Sequence, residues 1–394
     1  MKKIGIICEY NPFHSGHAYQ IATIREREPD AAVICLMSGH ATQRGELAIA
    51  DKFTRAAMAV SCGADIVLEL PYPYSAASAA YFAGAGVAIL DALGTDELSF
   101  GSECADPILL ARAAEITGNA DFCERVRTRQ RQGEGSAQAY FAELQQVLSD
   151  PDLRFLANDI LALEYVRAIR ALESSMRPMP IRREGSAYAA RQTEKGRHPS
   201  ATALREHLIR GELNESFGFV PEGAQKYLSD AINDQLAPVR MSNLDHLAVG
   251  YFRMHSPDSL SEIAEMQGGL ANRLHMAARE STTYAEMLLA ASSKSYPTAR
   301  LRRAVLFALT GVTAHDLQTA PAYLSLLAAG EVGRILLREW KDASPIPIYA
   351  KFADAASVGV RQAALAAALD SLFTLAQPVP CASDLWIKRP PRMF

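Results

Sequence analysis

Short apolar runs alternate with longer segments of helical spacing over the first hundred residues. KIGIIC (3–8), AAVICLM (31–37), ADIVLEL (64–70) and TDELSFGS (95–102) are each strand-like by length. Helical stretches fall between them, from about Ser15, over 51–61 and over 75–92. Strands alternating with helices predict βαβ units and a parallel sheet with both faces covered. Such sheets bind ligands beyond the carboxyl ends of their strands. The loops at 9–17, 38–46, 71–75 and 101–106 are therefore where a site is expected.

From 107 to 175 the spacing is mainly helical, with a polar, basic break at ERVRTRQRQGEGS (124–136). RPMPIRRE (177–184) reads as a further strand, 185–199 as a loop and SATALREHLIR (200–210) as a helix. After about residue 220 the strand signals stop, and Ala, Leu and Arg at helical spacing run to about 375. The expected fold class is α/β: a Rossmann-like parallel-sheet domain over 1–218, followed by an all-helical domain over 219–394.

Composition narrows this picture only a little. The chain has 394 residues, 49% hydrophobic and 21% charged, an ordinary globular balance. A net charge of −4 provides no global attraction to nucleic acid, so such a partner needs a local basic patch. The six cysteines show no CxxC spacing, which argues against zinc and against a disulfide framework. Reduced thiols of a cytoplasmic chain are the expectation. The apolar run of MKKIGIICEY ends at Glu9, too early for a secretory signal. The uncharged stretch 71–90 is mostly Ala, Gly, Ser and Tyr and reads as a buried helix close to a sheet, not a membrane span.

Two motifs carry chemistry. In EYNPFHSGH (9–17), His14 and His17 lie one helical turn apart where a helix opens after the first strand. A helix start offers unpaired backbone N–H groups to a phosphate, and Gly16 lets a nucleotide approach. Two imidazoles beside a phosphate can stabilise charge developing on phosphorus. A pair of surface histidines at a cap is the structural alternative. The second motif is SATALR (200–205), where Ser200, Thr202 and Arg205 open a helix after basic residues Arg191, Lys195 and Arg197. Ser or Thr at a helix start is often only a cap. Beside a phosphate the same residues form a clamp, with Arg205 as its charged fork.

HxGH after strand one, with a late (S/T)xTxxR helix start, resembles the HxGH nucleotidyltransferase superfamily. A narrower likeness runs through nearly the whole chain. GIICEYNPFHSGH (5–17), LMSGHATQRGE (36–46), DIVLELPYPYS (65–75), LSFGSE (98–103), LANDILALEYVRAI (156–169), PIRREGSAY (180–188), SATALR and KSYPTARLRRAV (294–305) follow in order. Together they resemble the tRNA(Met) cytidine acetate ligase family. That resemblance implies a nucleotidyltransferase-like domain that activates acetate with ATP, accompanied by Mg²⁺, and acetylates N4 of the wobble cytidine of elongator tRNA(Met). Spacing alone reaches only chemistry at the α-phosphate of ATP. A small-molecule adenylyltransferase of the superfamily and a non-catalytic RNA-binding protein are the competing classes.

The resemblance places ATP contacts on Ile7, Cys8, Glu9, Tyr10, Asn11, Pro12, Phe13, His14, Ser15, Gly16, His17 and Gln20, and on Gly101, Asn158 and Arg183. Arg182 and Arg183 end a strand, so alternation lets only one of them face the crevice. Asn158 has an alternative use as a helix cap. At Gly101 a side chain is expected to block the adenine or ribose. Gln43 and Arg44 lie in the loop after strand two and are candidates for contact with acetate or cytidine. For RNA the candidates are Lys294, Tyr296, Arg300, Arg302 and Arg303, with Tyr296 as a base-stacking ring. A second basic run, Arg125, Arg127, Arg129 and Arg131, has a solvated helix face as its alternative. The chain departs from the family pattern at Ser15, at His40 and after Tyr188, where the usual His-Asp is missing.

Overall fold

Strand β1 (Lys3–Cys8) alternates its side chains between two cores, and this alternation sets the layers. Ile4, Ile6 and Cys8 enter one core, while Ile7 enters the other. In β2 (Ala32–Ser38), Val33, Cys35 and Met37 join the first core and Ile34 and Leu36 the second. A strand buried on both faces has no polar side, which is why these runs are continuously apolar. The computed structural model describes residues 1–148, 155–183 and 201–394.

The sheet is completed by β3 (Ile66–Leu70), β4 (Glu97–Ser102), β5 (Arg177–Arg182), β6 (Leu324–Ala329), β7 (Ile348–Tyr349) and β8 (Arg392–Met393). Its order is β5-β4-β1-β2-β3-β6-β7, with β8 paired to β6. The first five strands are parallel, and β6 runs antiparallel to β3. The chain travels from β1 outward to β3, then returns to the other side of β1 to lay down β4 and β5. The switch point is therefore between β1 and β4, where an open α/β sheet leaves a crevice for a ligand.

Helices Ser15–Arg27, Lys52–Ser61 and Glu222–Asn233 cover the first face. Helices Ala79–Ala92, Pro107–Thr117 and Ala157–Ala171 cover the second. Residues 79–92 are the buried helix expected within 71–90. Among the described residues no helix is long and apolar enough to cross a membrane. A separate helical body has its own core, with Phe252, Leu274, Met287, Leu301 and Val305 buried among Asp245–Met254, Leu270–Glu280, Tyr284–Ala291 and Thr298–Thr310.

Two expectations need correction. The chain beyond 219 is mostly helical, yet it returns to the sheet through β6, β7 and β8. LSLLAA of β6 is largely buried on both faces and, apart from Ser325, built from Leu and Ala, so no period-2 signal marks it as a strand. The basic stretch starting at 124 is not a break over its first part, because Ala120–Arg131 is a helix. Asn119 caps it by accepting from the N–H of Asp121.

Candidate active site

The chain leaves β1 at Cys8 and is folded tightly before the next helix. Tyr10 adopts φ +47°, a left-handed conformation uncommon outside glycine. It is held there by burial, with its hydroxyl 3.4 Å from Cys35 Sγ. Asn11 Oδ1 accepts the N–H of Ile49 at 2.7 Å. Phe13 is fully buried and meets the Tyr10 ring edge-on at 4.8 Å. Ser15 donates its N–H to the carbonyl of Phe219 at 2.9 Å.

The two histidines cap the helix Ser15–Arg27 reciprocally. Gly16 N–H donates to His14 Nδ1 at 3.0 Å, and His14 N–H donates to His17 Nδ1 at 3.2 Å. An Nδ1 that accepts a hydrogen bond leaves the neutral ring's proton on Nε2. Both imidazoles are thus set as Nε2–H donors. Their rings stack with centroids 3.8 Å apart. His17 is held well below the ordinary imidazole range, by burial first and then by His14 and the Arg183 guanidinium. It acts as a neutral donor at pH 7, not as a cation.

His17 opens on a cavity of about 370 Å³ at the switch point. Ile7, Cys8, Glu9, Tyr10, Asn11 and Gln20 line it from the β1 side. Pro12, Phe13, His14, Ser15 and Gly16 do not line it. They form the turn that places His17, with His14 buried behind the second ring. Gln20 Nε2 donates to Ser99 Oγ at 3.2 Å, tying this helix to β4. Burial pushes the Glu9 carboxyl up, while it accepts the N–H of Gln43 at 2.8 Å. That bond brings the loop of Gln43 and Arg44 onto the rim, and both residues line the cavity.

The opposite wall comes from β4, β5 and the helix Ala157–Ala171. Gly101, Asn158 and Arg183 line it, and Arg182 does not. Arg182 instead donates to the carbonyls of Glu103 and Cys104, at 3.1 and 3.0 Å. A Cβ at Gly101 would lie 3.2 Å from Cγ and Cδ of Arg183. The missing side chain therefore makes room for Arg183, a use the adenine-blocking expectation did not foresee. Asn158 is not the helix cap. Asp159 has that role, accepting the N–H of Leu156 at 3.1 Å. Asn158 Nδ2 donates to Glu103 Oε1 at 2.5 Å.

Arg205 closes the cavity from the helix Ala201–Arg210. It donates to the carbonyl of Asn11 at 2.9 Å and to Thr202 Oγ1 at 3.2 Å. The clamp residue is thereby joined directly to the histidine turn. Thr202 is exposed and supports Arg205 without lining the cavity. Ser200, the basic loop before it and Tyr188 lie outside the described residues.

Sequence reasoning missed several participants. Phe82, Phe100, Leu161 and Tyr165 make an apolar wall. Glu103 and Asp159 organise the β4 loop, although both stand in the quoted stretches LSFGSE and LANDI. An acidic residue three positions into a helix was the available signal for Asp159. His40 is fully buried beside Asp370, at 2.6 Å, and stacks on Phe373. It belongs to a buried polar cluster with Lys52 and Glu69.

The basic residues are mostly engaged within the chain. Arg303 pairs with Glu265 at 2.8 Å and Arg300 with the same carboxylate at 3.3 Å. Tyr296 hydrogen-bonds the Gly268 carbonyl, and the guanidinium groups of Arg273 and Arg300 lie 5.8 and 5.3 Å from its ring centre. Its ring carries these two cations and lines a cavity on the helical body. Lys294 is exposed. Arg302 pairs with Glu46. In the other run, Arg125 and Arg129 pair with Glu143, while Arg127 and Arg131 pair with Glu124. That run is an ion-paired helix face.

Comparison with known proteins gives the family. A family model described as HIGH Nucleotidyl Transferase matches residues 1–384. The tRNA(Met) cytidine acetate ligase of Thermoanaerobacter sp. (strain X514) is 33% identical over 356 residues, 88% of each chain. That of Syntrophotalea carbinolica is 36% identical over 350 residues, 86% of this chain and 82% of the relative. A crystal structure of Thermotoga maritima TmcAL bound with alpha-thio ATP superposes with TM-score 0.90 at 27% identity, covering 100% of this chain and 99% of that one. The apo form of the same protein gives TM-score 0.91 at 28% identity, covering 100% of both chains. The chain belongs to the HIGH nucleotidyl transferase family and, within it, to the tRNA(Met) cytidine acetate ligase family.

Proposed function

We propose that the protein is an ATP-dependent ligase that acetylates N4 of the wobble cytidine of elongator tRNA(Met) through an acetyladenylate. The observation that carries this reading is the pair of stacked, Nε2–H-donating histidines at a helix start beside the switch-point cavity. In the first step an acetate oxygen bonds to the α-phosphorus of ATP. The bond from that phosphorus to the bridging oxygen breaks, and pyrophosphate leaves. Negative charge on the α-phosphate oxygens meets His17, a donor that the stacked His14 ring backs and that is in place before the reaction. Arg205 and Arg183 face the leaving pyrophosphate.

In the second step cytidine N4 bonds to the acetyl carbon, AMP leaves with the bonding pair, and N4 loses a proton. The N4 lone pair is delocalised into the ring, so an activated acyl group held in position is needed. Gln43 and Arg44 are the residues assigned to the incoming acetate or cytidine. Mg²⁺ accompanies the triphosphate as its counter-ion in this reading. The described residues hold no group of three His, Cys, Asp or Glu arranged for a metal.

The sheet body is assigned to catalysis and the separate helical body, over 245–310, to tRNA. Lys294 and Arg302 are the basic side chains best placed for the RNA backbone. Binding through them weakens steeply with salt. The anticodon base is splayed out to reach the adenylate.

ATP–pyrophosphate exchange, with and without acetate and tRNA, tests the reading. Acetate-dependent exchange supports it. Exchange that requires a phosphorylated metabolite instead points to a small-molecule adenylyltransferase. Folded protein that binds RNA without any exchange is a non-catalytic RNA-binding protein.

A further inference from the structure

We infer that Glu46 is a positioning residue that couples the phosphate site to the RNA face, as one carboxylate shared between Arg205 and Arg302. The inference rests on the functional reading above. Glu46 reaches Arg205 through Oε2 at 3.7 Å and Arg302 through Oε1. The three side chains are only 18–33% exposed, so water screens them incompletely. Arg205 lines the catalytic cavity. Arg302 lines a second cavity, of about 540 Å³, on the helical body beside Tyr284 and Thr298. Glu46 lines neither cavity and bridges the two arginines that do.

Backbone geometry fixes it there. Thr42 donates its N–H and its hydroxyl to the Glu46 carbonyl, at 2.9 and 3.1 Å. Gly45 has φ +75°, and a Cβ on it would lie 2.4 Å from the backbone nitrogen of Arg303. Only glycine lets this loop close onto the helix Thr298–Thr310.

A shared counter-ion makes its two partners antagonistic. An RNA phosphate that takes Arg302 leaves Glu46 facing Arg205 alone. The carboxylate then offsets the charge that Arg205 presents to the polyphosphate. By reciprocity, polyphosphate on Arg205 strengthens the Glu46–Arg302 pair against RNA. RNA docking thus favours departure of pyrophosphate after the adenylate has formed. Direct repulsion between the two phosphates acts in the same direction without needing Glu46. Replacing the carboxylate by an amide separates the two effects.

The test is calorimetric binding of inorganic pyrophosphate to the full chain, with and without a saturating unmodified tRNA(Met) transcript. In the wild type the transcript weakens pyrophosphate binding by about fivefold, the low end of ordinary coupling between sites, and in Glu46→Gln by less than about twofold. In Arg302→Met, pyrophosphate is already weakened without RNA, because Glu46 is released to Arg205; this arm decides if Glu46→Gln does not fold. A purely structural role for Glu46 would alter pyrophosphate binding equally with and without RNA. An unchanged coupling ratio in Glu46→Gln, or a wild-type ratio of one, overturns the inference. If the wild type acetylates the transcript but shows no coupling, the inference alone falls. If it does not bind the transcript, the functional reading falls with it.

Discussion

His14 and His17 stand face to face, ring planes 26° apart, each with its Nδ1 engaged by a backbone N–H of the same turn. The protein thereby fixes tautomer and orientation before any nucleotide arrives, which is what a preorganised charge-stabilising site requires. Replacing His17 by Ala removes one donor without removing the fold around it. Acetate-dependent exchange is expected to fall by about 10²–10³-fold, the usual effect of losing one such donor. Filter binding of the tRNA is expected to stay near the wild-type value. Exchange close to wild type in His17→Ala would show that the ring does not act on the reacting phosphate.

Asp159 controls the opposite wall. Its Oδ1 accepts from Ser102 Oγ, Glu103 N and Cys104 N at 2.6, 2.9 and 3.2 Å. Asp159→Asn replaces an acceptor by a donor in a fully buried place. The stability cost is about 1–3 kcal/mol, that of leaving buried polar groups unmatched. The shifted loop also carries Glu103, which holds Asn158. KM for ATP should therefore rise more than kcat falls, as when ground-state and transition-state binding are lost together. ATP titration of the exchange rate, alongside thermal denaturation, checks both halves.

Lys52 lies between two carboxylates in the interior, 3.0 Å from Glu69 and 3.4 Å from Asp370. These residues join β3, the helix Lys52–Ser61 and the helix Val360–Ala376 behind the Gln43–Arg44 loop. Lys52→Met leaves two buried carboxylates without their cation. A loss of about 3–5 kcal/mol is expected, as for other buried pairs broken on one side. A melting temperature within a degree or so of wild type would contradict this.

Acid should weaken the fold near neutrality through its histidines. His17 is held well below the usual 6.5 by burial, then by His14 and Arg183. His40 is also lowered, since its burial outweighs the pull of Asp370. Unfolded, both rings take up protons near pH 6.5; folded, they resist. The unfolded state binds more protons below that pH, so this stability is complete above about pH 6.5 and declines as pH falls. Melting temperatures should drop from about pH 7.5 to about pH 5.5, and less steeply in His40→Asn. A rise on acidification would reverse the assigned sign.

The sheet and the histidine turn were legible because both are written in local pattern. Four apolar runs alternate with helices, and HxGH follows the first. Long-range pairing was not legible. β6 lies against Val67 and Leu68 across more than half the chain, and nothing in LSLLAA names that partner. The partners of the arginines were not legible for the same reason. Arg300, Arg302 and Arg303 look like one basic cluster, but Glu265 and Glu46 hold them from distant loops. Of the two neighbouring arginines ending β5, alternation required that only one face the cavity, and the structure selects Arg183.

Formation of N4-acetylcytidine tests the central claim most directly. The full chain is incubated with ATP, isotopically labelled acetate and an unmodified tRNA(Met) transcript, and the digested RNA is analysed for labelled nucleosides. The account predicts label in N4-acetylcytidine at the wobble position, dependent on ATP and absent in His17→Ala. An acetylated nucleoside that forms equally well without ATP, or no acetylated cytidine from folded, RNA-binding enzyme, would contradict it.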